Sequence, residues 1–254
     1  MTRKRTTPTL IGLSALCATV AMTASTLLLG SGPGVAQPSP ATSAARSTPT
    51  VVRGMTPPYA ANRKATIKVR FREAVRRLRL AQETPRGYDR DKFGDWRDAD
   101  GDCRDTRAEV LGAESLRHTT GGCTIETGRW FSSYDRVYWT DAGDVDIDHL
   151  VALFEVWRSG GKAWGAARRV AYANDLADSR TLRAVTDNVN QSKGDRDPSD
   201  WLPEFGRCVY ARQYTAVKTR WNLRVNADEK NTLRRIASHC PNAVIRLHKA
   251  RVVR

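Results

Sequence analysis

Asp144-Val145-Asp146-Ile147-Asp148-His149-Leu150-Val151-Ala152-Leu153 alternates carboxylates with apolar residues and closes on an imidazole. The period of two predicts a strand with Val145, Ile147 and His149 on one face and Asp144, Asp146 and Asp148 on the other. Three carboxylates on one surface repel one another unless something positive sits between them. A hard divalent cation supplies that charge, and the side-chain oxygen of Asn190 is the kind of neutral ligand it accepts. An Asp-His pair alone also suits a solvated acid beside a satisfied histidine. Asn190-Gln191-Ser192-Lys193-Gly194-Asp195 alone suits a polar turn. Their order carries the argument: a strand ending in Asp-His, a second short strand Leu182-Arg183-Ala184-Val185, then a polar segment opening with Asn190.

That order resembles the HNH, or ββα-metal, endonucleases, and more narrowly their secreted bacterial branch, whose domain also occurs in GmrSD-type modification-dependent restriction enzymes. The resemblance takes in Asp146 to Leu153, Tyr172-Ala173-Asn174-Asp175-Leu176, Leu182 to Val185 and Asn190 to Pro203. Upstream it takes in Phe93-Gly94-Asp95-Trp96, Asp100-Gly101-Asp102-Cys103 and Asp105 to Leu111, so that it covers most of residues 88 to 240. Ala152 departs from it where proline is usual, which bears on loop rigidity, and Gln191 where arginine is common, which removes a phosphate-facing charge.

The resemblance implies an α+β fold: a ββα-metal hairpin and helix surrounded by further helices and stabilised by disulfides. It implies an endonuclease that hydrolyses phosphodiester bonds. His149 is the expected general base, its ordinary pKa lying near neutrality. Asp148 and Asn190 are the expected ligands of a divalent metal, Mg²⁺ with Mn²⁺ as substitute, which polarises the phosphate. Lys193 and Arg107 are candidate nucleic-acid contacts. Asp146 is expected to orient His149, and Glu109 to stand behind the site. Thr106-Arg107-Ala108-Glu109 reads equally as an exposed helix start with an ordinary ion pair.

The N-terminus sets the compartment. Arg3, Lys4 and Arg5 precede an uncharged run from Leu10 to Gly30, and Gly34-Val35-Ala36 offers small residues for cleavage. Residues 1–36 therefore read as a signal peptide rather than an anchor, since the run is rich in Ala, Ser, Thr and Gly. Leu16 before Cys17 argues against a lipoprotein site. Residues 37–52 are a Pro-, Ser-, Ala- and Thr-rich linker or propeptide, and residues 53–254 the nuclease domain. After cleavage four cysteines remain, and an even number in an exported chain implies two disulfides with three possible connectivities. Bracketing of one compact stretch by each pair, together with the resemblance, favours Cys103–Cys123 and Cys208–Cys240. A Cys₄ zinc site has no Cys-x-x-Cys to support it.

Asn62 to Gln82 carries Ile67, Phe71, Val75 and Leu78 at near-helical spacing among Lys64, Lys68, Arg70, Arg72, Arg76, Arg77 and Arg79. It reads as a basic amphipathic helix, its charges a solvated face before a nucleic-acid contact. Tyr210, Tyr214, Val217 and Trp221 share a helical face that reads as core. Asn226 reads as the cap of another helix, with Glu229 reaching back and Leu233, Ile236 and Ala237 as its apolar stripe. Phe154 to Asp175 reads as a helical insertion between the strands, a lid or scaffold.

Forty-two Lys and Arg against 27 Asp and Glu leave a net charge of +15. A polyanion is the natural partner on charge alone. The resemblance implies that it is nucleic acid, with DNA favoured over RNA, and the protein is expected to be a monomer with no lasting membrane association. The alternative is a non-catalytic exported binder of nucleic acid or cell-wall polyanions. Clustered carboxylates would serve such a binder poorly, because phosphate must approach them. No Gly-x-Ser-x-Gly or His-Glu-x-x-His occurs, and His118, His239 and His248 lie away from the Asp-His segment, so a serine or zinc hydrolase has no support.

Overall fold

The chain divides into residues 1–51 and residues 52–254. The computed structural model describes residues 66–250, all within the second unit, so the signal peptide and linker lie outside the described residues. The described residues form three two-stranded antiparallel sheets set among seven α-helices. The fold class is α+β, as the sequence implies.

The first sheet pairs β1 (Thr66–Arg70) with β6 (Val244–His248), joining the two ends of the described chain. This corrects the single basic helix expected over 62–82. Residues 66–70 are strand, and the helix α1 is confined to Phe71–Arg77. Pairing with a strand nearly two hundred residues away overrides local periodicity, because main-chain bonds and burial of Val69 against Ile245 reward the extended form. Lys230 Nζ satisfies the carbonyls of Arg76 and Leu78 at the helix end. Arg72 in turn donates to the carbonyls of Ala237, Ser238 and Cys240. One cation of the basic run is therefore held by the chain's own carbonyls.

Helix α2 (Thr106–Glu114) is capped by Asp105, whose carboxylate accepts from Ala108 N at 2.8 Å. It packs with the hairpin β2 (Thr127–Phe131) and β3 (Tyr138–Asp141) and with the hairpin β4 (Val145–His149) and β5 (Leu182–Thr186). Strand β4 falls within the alternating segment, and β5 covers the second short strand expected at Leu182 to Val185. Between them run α3 (Leu153–Arg158) and α4 (Ala166–Ala173), and β5 leads directly into α5 (Asp187–Lys193). Gly194 stops α5 with φ 55°, a value that suits glycine, and leaves Lys193 as its last residue.

Helices α6 (Arg207–Trp221) and α7 (Ala227–His239) complete the larger core, in which Tyr210, Tyr214, Val217 and Trp221 are buried. Asn226 caps α7 as expected, accepting from Glu229 N at 2.8 Å. The carboxylate of Glu229 does not reach back, because it is drawn 2.9 Å from Lys218 instead. Val145, Ile147, Leu182 and Ala184 pack into a smaller core with α2, whereas Leu150, Val151 and Val185 join the larger one. The β4–β5 hairpin thus lies where two cores meet. Disulfides Cys103–Cys123 and Cys208–Cys240 are formed, the latter tying α6 to the end of α7.

Candidate active site

His149 closes β4 with its ring 5.1 Å from Trp96, nearly parallel at 6°, and 6.0 Å from Tyr172 on the other cluster. Its Nε2 lies 2.9 Å from the carbonyl of Ala173. A carbonyl only accepts, so Nε2 carries the proton and Nδ1 keeps its lone pair. Burial pushes the imidazole pKa down to about 3, against the pull of the Ala173 carbonyl and helped by the charges of Arg90 and Lys193. The ring is therefore a neutral base at any ordinary pH. It lines a cavity of about 320 Å³ together with Tyr88, Arg90, Trp96, Asp148 and Asn190.

Asp148 is 4% exposed, and its two oxygens face different partners. Tyr134 Oη donates to one at 2.6 Å, and Lys193 Nζ lies 2.8 Å from the other. Lys193 also donates to the His149 carbonyl at 3.1 Å and is wholly buried. This corrects its expected role as a phosphate contact, because a fully buried ammonium already paired with a carboxylate cannot present itself to a strand in solution. It also answers the repulsion argument: part of the positive charge that the acidic strand needs comes from the chain itself. Burial raises the Tyr134 phenol well above its ordinary range, so it stays a donor to Asp148.

Asp146 shares the strand face with Asp148, and Asn190 Nδ2 donates to it at 3.1 Å. A carboxylate accepts only, so the amide nitrogen faces Asp146 and leaves Asn190 Oδ1 as a free acceptor type. Asp146 is thus bonded to Asn190, whereas His149 is bonded to the Ala173 carbonyl, which corrects the expectation that Asp146 orients the ring. Asp144 falls in a 3-10 turn ahead of β4 and is exposed, so the row holds two carboxylates rather than three.

Arg107 does not face the cavity. Its Nη2 donates to the carbonyls of Ala142 and Val145, at 2.9 and 2.8 Å, and clamps the entry to β4. Glu109 stands against the loop of Asp98, Asp100 and Asp102. Burial first, then those charges, push its pKa up. Neither residue lines the cavity. Arg90 and Trp96 line it and were missed as site residues. Arg90 is exposed and carries no periodic signal, and Trp96 lies within a quoted motif but far from His149 in the chain. Tyr134, in a loop after β2, has no local signature either.

No family model matches the chain, and no solved structure matches it. An uncharacterized secreted protein of the fungus Arthroderma benhamiae is 42% identical over 157 residues, 61% of this chain and 76% of that protein. The chain belongs to that protein's family.

This corrects the resemblance to the HNH endonucleases and their secreted bacterial branch, since the relative found is fungal and nothing found places the chain among those enzymes. The physical reason is low specificity. Asp-His at a strand end and Asn-x-x-Lys-Gly-Asp after a short strand are brief polar patterns that ordinary strand ends and turns also satisfy. The protein is secreted, as its relative is, and the two disulfides accord with that compartment. None of the described helices is long and apolar enough to cross a membrane.

Proposed function

We propose that this secreted protein hydrolyses phosphodiester bonds of nucleic acid, with His149 as general base and a divalent metal, Mg²⁺ or Mn²⁺, held by Asp148 and Asn190. The observation that carries the reading is the fixed tautomer of His149: Nε2 bound to Ala173, Nδ1 unprotonated, on a ring lining a cavity beside a carboxylate, an amide oxygen and an arginine. That is the arrangement needed to take a proton from water as it attacks phosphorus.

The donor set fits a hard cation. Each oxygen of Asp148 has one hydrogen-bond partner and so keeps a lone pair, and the Asn190 oxygen is free because its nitrogen is committed. Bound there, the cation would supply positive charge to a phosphoryl oxygen and to the leaving oxygen. Because Lys193 already balances Asp148, the protein's own hold is weak, and phosphate oxygens are needed to complete it. The hairpin and helix, as a metal-holding ββα unit, belong to this same proposal.

Arg90, exposed at the cavity, attracts the phosphate in this reading. Incubating the purified mature chain with plasmid and with RNA, plus and minus Mg²⁺, tests the proposal. Metal-dependent cutting that disappears in His149→Gln is expected, and nucleic acid bound but never cut would replace the enzyme with a polyanion-binding protein.

A further inference from the structure

A second cavity, of about 590 Å³, lies at the other end of α3. Leu153 and Phe154 of that helix line the first cavity, whereas Trp157, Arg158 and the following Ser159 line the second. Tyr88 of the first packs 6.1 Å from the Trp157 ring of the second. The second cavity is cationic: Arg79, Lys162 and Arg224 line it, all three exposed, and no aspartate or glutamate does. Among the described residues none of these three forms an ion pair with a carboxylate. Arg158 differs, being committed to Glu83, Glu155 and Asp197.

The surroundings add charge of the same sign. Arg168 stacks over Trp164 at 4.7 Å, and Lys249 has its pKa lowered by burial and then by Arg79 and Arg168. Like charges gathered without a counter-charge are costly, and an anion relieves them. Ser159, 1% exposed, lines the cavity with a buried Oγ that has no hydrogen-bond partner, a donor without an acceptor. Half-buried Trp164 lines the cavity beside the cations.

We propose that this cavity holds a backbone phosphate of the nucleic-acid strand being cut, anchoring it a few nucleotides from His149. The inference rests on the nuclease reading. The geometry allows it, since the six residues of α3 rise roughly 9 Å. That is a span of about two to three nucleotides, at about 3.4 Å per step of one strand.

The test measures binding and chemistry separately. Binding of a labelled oligonucleotide is titrated over a range of salt with His149→Gln protein, which cannot turn over. The same protein carrying Arg79→Ala, Lys162→Ala and Arg224→Ala should bind at least about tenfold more weakly at ~0.15 M salt. Its slope of log affinity against log salt should shrink by about two to three, at ~0.9 for each lost phosphate contact. A charge-matched control, Lys68→Ala, Arg117→Ala and Arg246→Ala, should keep most of the slope. With His149 intact, the first triple variant should hydrolyse bis(4-nitrophenyl) phosphate at the wild-type rate, because that small ester does not reach the second cavity. An unchanged slope, or an equal loss in the control, overturns the inference even if the wild type cuts. Failure of the wild type to hydrolyse any ester sinks the nuclease reading instead, and the salt slope then still scores the cavity.

Discussion

Two groups of carboxylates, one beside the cavity of His149 and one around two interior cations, show what separates the proposed site from a scaffold. At the cavity, Asp148 meets one ammonium, Lys193, and one phenol. Around α3, Glu83, Glu155, Glu229 and Asp197 share the charges of Lys218 and Arg158, four carboxylates against two cations, with Asn226 donating to Glu83 and Asp197. Oxygens of Glu83, Glu155 and Glu229 lie within 4.8 Å of one another. Yet Glu155, Glu229 and Lys218 are fully buried, and the group serves to join α3, α6 and α7. Under the nuclease proposal, then, proximity of acids does not mark the site; what marks it is a hydrogen-bonded carboxylate with a neutral base and an exposed cation around a cavity.

The comparison breaks most severely if the Lys218 group proves dispensable. Lys218→Met leaves two buried glutamates without their ammonium and should cost about 3 to 5 kcal/mol, read from denaturant unfolding. Lys193→Met should cost less, because water in the cavity can solvate Asp148. Equal losses would erase the distinction between the two regions.

Next in size is the chemical step. His149→Gln should lower nucleic-acid cleavage by about a hundredfold or more while keeping binding. Because burial holds the wild-type imidazole near 3, its rate profile should show no acid limb near pH 6.5. A limb at that value would mean that His149 titrates as an ordinary surface histidine.

The two regions should also respond to pH in opposite senses. Burial, then the charge of Glu155, raises Glu229 to about 8 against the pull of Lys218. Its folded value lies above its ordinary one, so it contributes stability that is full below about 4.5 and lost as pH rises toward about 8. His149 has a depressed folded value, so its contribution is full above about 6.5 and lost as pH falls toward about 3. Melting temperatures across pH should show Glu229→Gln flattening the alkaline decline alone, and His149→Gln the acid decline alone.

The smallest expected effect is at Asn190. Its alanine variant loses one hydrogen bond to Asp146, worth about 1 kcal/mol. Under the metal-ligand proposal its rate should also fall and recover partly at high Mg²⁺. An Asn190→Ala protein that melts earlier but cuts at the normal rate would reduce the residue to a structural partner of Asp146.

Much of the fold was legible because it is locally encoded. Alternation marked β4, Asn226 marked the start of α7, the spacing of Tyr210, Tyr214, Val217 and Trp221 marked the buried face of α6, and four cysteines in an exported chain marked two disulfides. The strand at 66–70 was not legible, since its partner lies at the other end of the chain and isolated residues there look helical. The family was misread for a related reason: short polar patterns repeat across unrelated folds.

For the site, the sequence by itself determined that Asp146, Asp148 and His149 follow one another along a strand, because the direction of each side chain there depends only on its place in a period of two. Only the tertiary structure decided what those groups can do. Lys193 reaches inward because Gly194 ends α5 there, Tyr134 arrives from another hairpin, and Ala173 and Trp96 fix the ring from elements distant in sequence. Protonation, tautomer and charge balance are sums over neighbours within a few ångströms, and which neighbours those are is a property of packing rather than of order along the chain.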